Sequence, residues 1–284
     1  MNWSRVKTIL IITLLILNIS LYYLYSSQED GYALSSTHIN EMNTILESNN
    51  IIVYDHLPRF HPMPRLKINT YDINEDNLIE AFFEQPENVS LRVTGDGRIY
   101  EKEDRRFIVH TNGIEKGVIK YYDSSYSEKT LNESSVYDVV KDIANKIALD
   151  EVDLQLSSFI RMENNTYQVL FNEYYNGYPI FSSYFKLEVD EDFNIYGEYK
   201  RVLPESFIEP ERNIYPIDQV LYNFMNAYEN ETNGLIRIIN IELGYDVKGH
   251  KYEEEYNEYI EPHYIIKLAN GEEIFINAYT NAYK

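Results

Sequence analysis

Six histidines are the first place to look for metal or acid–base chemistry: His38, His56, His61, His110, His250 and His263. Only His56 and His61 are neighbours, five apart in a stretch that holds three prolines before Leu66. Paired metal ligands more often lie two to four apart on one helix or strand, and H-E-x-x-H is absent. The chain has no Cys, which removes thiolate metal sites, disulfides and cysteine nucleophiles together. No G-x-S-x-G, S-x-x-K, phosphate-loop or dinucleotide glycine pattern occurs. Gly95-Asp96-Gly97 reads as a turn, because no helix follows it. Asp190, Glu191, Asp192 and Asn194 lack the spacing and closing Glu of a calcium loop and read as a solvated hairpin tip. The expectation is a protein without catalytic residues, cofactor or metal.

The chain has 284 residues, with 25 Lys plus Arg against 46 Asp plus Glu, a formal charge of −21. That balance argues against nucleic acid, whose phosphates need a cationic surface. At 44% hydrophobic the chain is globular rather than disordered. The 28 Tyr stand out. Tyr174, Tyr175, Tyr178, Tyr184, Tyr196 and Tyr199 fall in or beside adjacent expected strands. Alternate positions face opposite sides of a sheet, so some of these rings belong to an outer face. Such a face suits protein binding, since Tyr joins apolar area to a hydroxyl; β propensity alone is the plainer account.

The elements that would position these groups follow from periodicity and turn chemistry. Helices are expected at Ser36–Glu47, at Asn74–Glu84, and at Val136–Leu149 with Val136, Val139, Val140, Ile143 and Ile147 on one face. Another opens at Pro216, with Val220, Leu221, Phe224 and Met225 inward. Strands are expected on both sides of Gly95-Asp96-Gly97, Asn112-Gly113, Asn176-Gly177, Asp190–Asp192 and Asn270-Gly271. The His110 and His263 positions fall in such strands. Glu253-Glu254-Glu255 reads as a solvated loop. Helix-then-meander units recur, with a polar, Ser-rich boundary at Ser124–Ser135.

At the N-terminus, Arg5 and Lys7 precede an uncharged stretch from Thr8 to Tyr25, and Glu29 and Asp30 follow. Eighteen residues of helix span roughly 27 Å, close to a hydrocarbon core. A cleavable signal needs a shorter apolar region and a small-x-small site, which Leu24-Tyr25-Ser26 does not supply. The segment is expected to be a single membrane helix over 8–25. Arg5 and Lys7 orient it with residues 1–7 in the cytoplasm and the rest outside. Asn18 and Ser20 lie inside the apolar run. They are candidates for contact with a partner helix, or sit shallow enough to reach headgroups. The expected fold class is therefore α+β: a transmembrane helix, then an extracytoplasmic region of helices packed on antiparallel sheets, in lobes 31–123 and 136–284.

The opening Asn2-Trp3-Ser4-Arg5-Val6-Lys7 run, leading into one apolar helix and an acidic Cys-free region, resembles the YycI (WalI) family of Firmicutes. Tyr167-x-Val-x-Phe171 with Tyr174, Gly177 and Pro179-Ile-Phe181 resembles the strand–turn–strand of PepSY-like modules. His263-Tyr-Ile-Ile-x-Leu268 with Gly271 and Phe275-Ile-Asn-Ala278 resembles their closing hairpin. The resemblance implies a non-enzymatic accessory regulator, located at the cell membrane. Its partners would be a YycH-like protein and a YycG (WalK)-like sensor histidine kinase in two-component control of cell-wall homeostasis. Two alternatives stay open: an extracytoplasmic peptidase-inhibitor module of PepSY type, and an envelope structural protein.

Overall fold

The computed structural model describes residues 3–70, 74–83, 86–111, 118–148, 153–162, 164–228, 234–247 and 259–283. His250, Glu253–Glu255 and the Asn112-Gly113 turn lie outside the described residues. In chain order the helices are α1 (Trp3–Asp30), α2 (Ser36–Ser48), α3 (Glu75–Phe82), α4 (Glu133–Ala148) and α5 (Ile217–Tyr228). The strands are β1 (Ile51–Val53), β2 (Met63–Thr70), β3 (Ser90–Val93), β4 (Gly97–Lys102), β5 (Arg105–His110), β6 (Val118–Asp123), β7 (Asp153–Arg161) and β8 (Tyr167–Tyr175). They continue with β9 (Tyr178–Val189), β10 (Ile195–Lys200), β11 (Val202–Arg212), β12 (Ile236–Tyr245), β13 (Tyr259–Ile260), β14 (Pro262–Leu268) and β15 (Glu273–Asn277).

The chain divides into two compact units. The first comprises Met1–Pro64, Pro210–Leu243 and His263–Lys284; the second comprises Arg65–Glu209 and Gly244–Pro262. In the first, β1 runs parallel to β12, and β14 pairs antiparallel with β15. Met42 and Leu46 of α2, and Val220, Leu221 and Phe224 of α5, are buried along with Ile238, Ile266 and Ile276 of the strands. Ser35 caps α2, its side chain accepting from the His38 amide.

The second unit is built on one antiparallel sheet of eight strands in the order β7-β8-β9-β10-β6-β5-β4-β3. It consists of two helix-then-four-strand modules, α3 with β3–β6 and α4 with β7–β10. They are joined through their last strands, β6 and β10. Asn74 caps α3 by accepting from the Asn77 amide, and Glu75 and Asp76 lie in its first turn, where acidic residues favour the helix dipole. Asn132 and Ser135 exchange bonds at the start of α4, Ser135 N to Asn132 Oδ1 at 2.9 Å and Asn132 N to Ser135 Oγ at 3.2 Å. Both helices lie on one face of the sheet. There Phe82, Phe83, Val140 and Ile143 pack with Phe107, Tyr121, Phe185 and Leu187 in a continuous core.

The turns follow their residue chemistry. Asn176 and Gly177 both have positive φ, 49° and 86°, which the two-residue turn between β8 and β9 demands. At the tip between β9 and β10, Asp190 Oδ1 accepts from the amides of Asp192 and Asn194, and its Oδ2 from the Asn194 side chain. The Asp190 carboxylate is thereby engaged by its own loop.

Two architectural expectations are corrected. The expected α+β class behind a membrane-spanning anchor gives way to a chain that is mostly large antiparallel and mixed β-sheet with few helices. In the second unit, hydrogen bonding of β6 to β10 places strands from both sides of Ser124–Ser135 in one sheet. The Ser124–Ser135 boundary accordingly falls between two modules of one unit. The transmembrane helix over 8–25 is corrected as well. Among the described residues no helix is long and apolar enough to cross a membrane. Thr13, Asn18 and Ser20 interrupt the apolar run, and Tyr22 stands near its end.

Candidate binding face

The face of the second unit's sheet that turns away from α3 and α4 carries a different set of side chains. Strand alternation assigns them: where Phe107, Ile119, Tyr199 and Phe185 point inward, their neighbours point outward. Strand register then sorts the outward residues into rungs. One rung runs Glu101, Arg106, Tyr122, Tyr196, Glu188, Gln168 across β4, β5, β6, β10, β9 and β8. The next runs Ile99, Ile108, Lys120, Glu198, Lys186, Leu170 across the same strands. Between the rungs an open hollow of about 360 Å³ is lined by Arg106, Lys120, Tyr122, Lys186, Tyr196 and Glu198 among others.

The side chains of this face contact one another across the strands. The Arg106 guanidinium lies over the Tyr122 ring, 5.6 Å from its centroid. Tyr122 meets Tyr196 at 5.3 Å between centroids with the planes tilted by 52°. Tyr196 is 47% exposed. Partial burial, followed by the charges around it at Asp190 and Glu188, pushes its phenol pKa up. Glu198 lies directly between Lys120 and Lys186 in register, and the Tyr184 hydroxyl donates to its Oε1. The exposed groups are cations, carboxylates, phenols and aliphatic chains in alternation, suited to ion pairing and stacking.

The residues singled out in the sequence fall in separate places. Asn18, Ser20 and Lys7 are exposed on α1, and the side chain of Arg5 lies outside the described residues. Of the six tyrosines, Tyr184 and Tyr196 reach the outer face, whereas Tyr199 is buried beneath it. Tyr175 donates to the Glu205 carbonyl oxygen at 2.9 Å. His56 is exposed, and His61 meets the Tyr32 ring edge-on at 6.3 Å. Among the described residues no three His, Asp or Glu side chains are grouped as metal ligands. Arg106, Lys120, Tyr122, Lys186, Glu188 and Glu198 were not picked out by sequence. Their signal is charged or phenolic residues alternating with buried apolar ones along β5, β6, β9 and β10.

No family model matches the chain, and no curated protein matches it. Among solved structures, an uncharacterized protein from Eubacterium rectale ATCC 33656 is similar with a TM-score of 0.53 at 12% identity, over 83% of this chain and 90% of that one. The C-terminal domain of Bacillus megaterium YpeB overlaps with a TM-score of 0.38 at 12% identity, over 76% of this chain and 96% of that one. The first likeness shows that the fold recurs.

Proposed function

We propose that the protein is a non-enzymatic accessory regulator that binds a sensor histidine kinase together with a YycH-like protein. In this reading it is a YycI-like modulator of two-component signalling, acting at the cell membrane where such a kinase resides. The observation that carries the reading is α1. Leu10, Ile11, Leu14, Leu15 and Leu17 are each at least half exposed, and Trp3 and Tyr22 more so. Exposed apolar side chains grouped on one helix in this way favour an interaction site in a folded protein. The occupant proposed is an apolar helix of the kinase. Asn18 and Ser20 supply the polar positions that fix register between paired helices. A regulator of this kind shifts its partner's equilibrium only as far as it binds the partner's two states differently.

Co-purification of the full chain with the kinase tests this. Replacing α1 by an unrelated apolar helix should abolish recovery of the kinase, and Asn18→Leu should weaken it. Undiminished recovery with the replaced helix would overturn the reading.

A further inference from the structure

The outer face of the eight-stranded sheet has a symmetry that its cross-strand register makes visible. The two central strands are β6 and β10, flanked by β5 and β9, then by β4 and β8. Consider a two-fold axis lying in the plane of this face, between β6 and β10 and parallel to them. It sets a second copy face to face with the first, each rung over itself and the strand order reversed. The residue on β5 then meets the one on β9, β6 meets β10, and β4 meets β8.

The side chains match under that operation. Arg106 meets Glu188 of the second copy, and Lys120 meets Glu198 of the second copy, each contact occurring twice. Tyr122 meets Tyr196 of the second copy, extending the aromatic pair already present within each chain. Ile99 meets Leu170 of the second copy. The remaining contacts set one charged residue against an uncharged one: Glu101 against Gln168, and Ile108 against the aliphatic stem of Lys186. No like charges are opposed along either rung.

We propose that this face is an isologous interface through which two copies of the chain pair. A self-complementary patch is what a two-fold interface requires. Aligned sheets pack face to face about 10 Å apart, a distance that side chains of this length bridge. Six strands of about six residues give roughly 600 Å² in projection before side-chain relief, of the order of the ~800 Å² per partner found in stable interfaces. The two hollows, each lined by residues of β5, β6, β9 and β10, face one another across the axis and join into one chamber. The inference does not rest on the reading of α1, whose apolar contacts these charges do not touch.

Charge inversion on the full chain tests it, read by sedimentation equilibrium. Arg106→Glu opposes two carboxylates at each of the symmetric contacts, and Glu188→Arg opposes two guanidinium groups there. Each variant alone should dimerise about a hundredfold more weakly than the unaltered chain. Mixed together, they should form a heterodimer, because each new charge then meets its opposite. The double variant Arg106→Glu/Glu188→Arg should pair with itself again. Arg106 and Glu188 are three strands apart within one chain, so a folding defect would not be repaired by mixing. An unaltered chain that stays monomeric up to sub-millimolar concentration overturns the proposal and leaves the face to a different partner. Single variants that associate as well as the unaltered chain, or that fail to pair when mixed, overturn it equally.

Discussion

Arg105 Nε lies 3.1 Å from Oδ2 of Asp123, a side chain with no exposed surface. The same oxygen accepts from the Tyr121 hydroxyl at 2.6 Å, and Oδ1 from the Ser125 amide at 2.8 Å. Arg105 Nη1 also donates to the Phe82 carbonyl oxygen at 3.1 Å, tying the end of α3 to the β5–β6 hairpin. Burial by itself would lower the Arg105 pKa, and Asp123 with Tyr121 and Tyr126 turns the shift upward. Arg105→Leu would leave a buried carboxylate unpaired and should destabilise the protein by about 3–5 kcal/mol in urea unfolding. Adding Asp123→Leu should recover most of that loss. A single-variant loss below about 1 kcal/mol would show that water reaches Asp123.

Alkaline pH should destabilise the fold through its buried phenols. Burial, then a hydrogen bond to Glu75, pushes the Tyr100 pKa up to about 12. Tyr121 and Tyr264 are likewise raised, chiefly by burial. In the unfolded chain these groups lose their protons near pH 10, about where a free tyrosine does. Between roughly pH 10 and 12 the folded state holds more protons than the unfolded one, so stability falls as pH rises through that window. Below about pH 10 the contribution is fully present. Denaturant midpoints measured across the window should drop, and should drop less in Tyr100→Phe. A flat profile from about pH 10 to 12 would contradict the raised values.

The Asn176-Gly177 turn offers a local test. Gly177 has φ of +86°, and a Cβ there would meet nothing within 4 Å, so the cost of Gly177→Ala is conformational only. It should be about 1–2 kcal/mol. Gly95 also has open space and no positive φ, and Gly95→Ala should change stability by less than about 0.5 kcal/mol. Equal unfolding midpoints for the two variants would refute the distinction.

Phe193 sits at the β9–β10 tip with φ of 63° and only 1% exposure, an apolar ring held in a left-handed conformation that large residues seldom adopt. Its packing among core residues, with Tyr126 at 6.3 Å, outweighs a backbone cost of about 1–3 kcal/mol. Phe193→Ala should therefore cost about 3–5 kcal/mol by thermal or urea unfolding. A neutral outcome would mean that the ring is not needed to close the core.

What the sequence determined by itself was local. Asn132 and Ser135 cap α4, Val136 to Ile147 repeat at helical spacing, and Asn176-Gly177 and Asn270-Gly271 form turns, because each signal acts within a few residues. The inward set Phe107, Ile119, Phe185 and Tyr199 was equally open to period-two reading. The joining of the two modules was not. That β6 pairs with β10, across more than seventy residues, depends on packing α3 and α4 over one shared core, and no local pattern encodes such a register. The placement of Arg106, Tyr122, Tyr196 and Glu188 on a single rung is a consequence of that register. Four side chains from four strands became one surface only when the tertiary structure fixed the order of the strands between them.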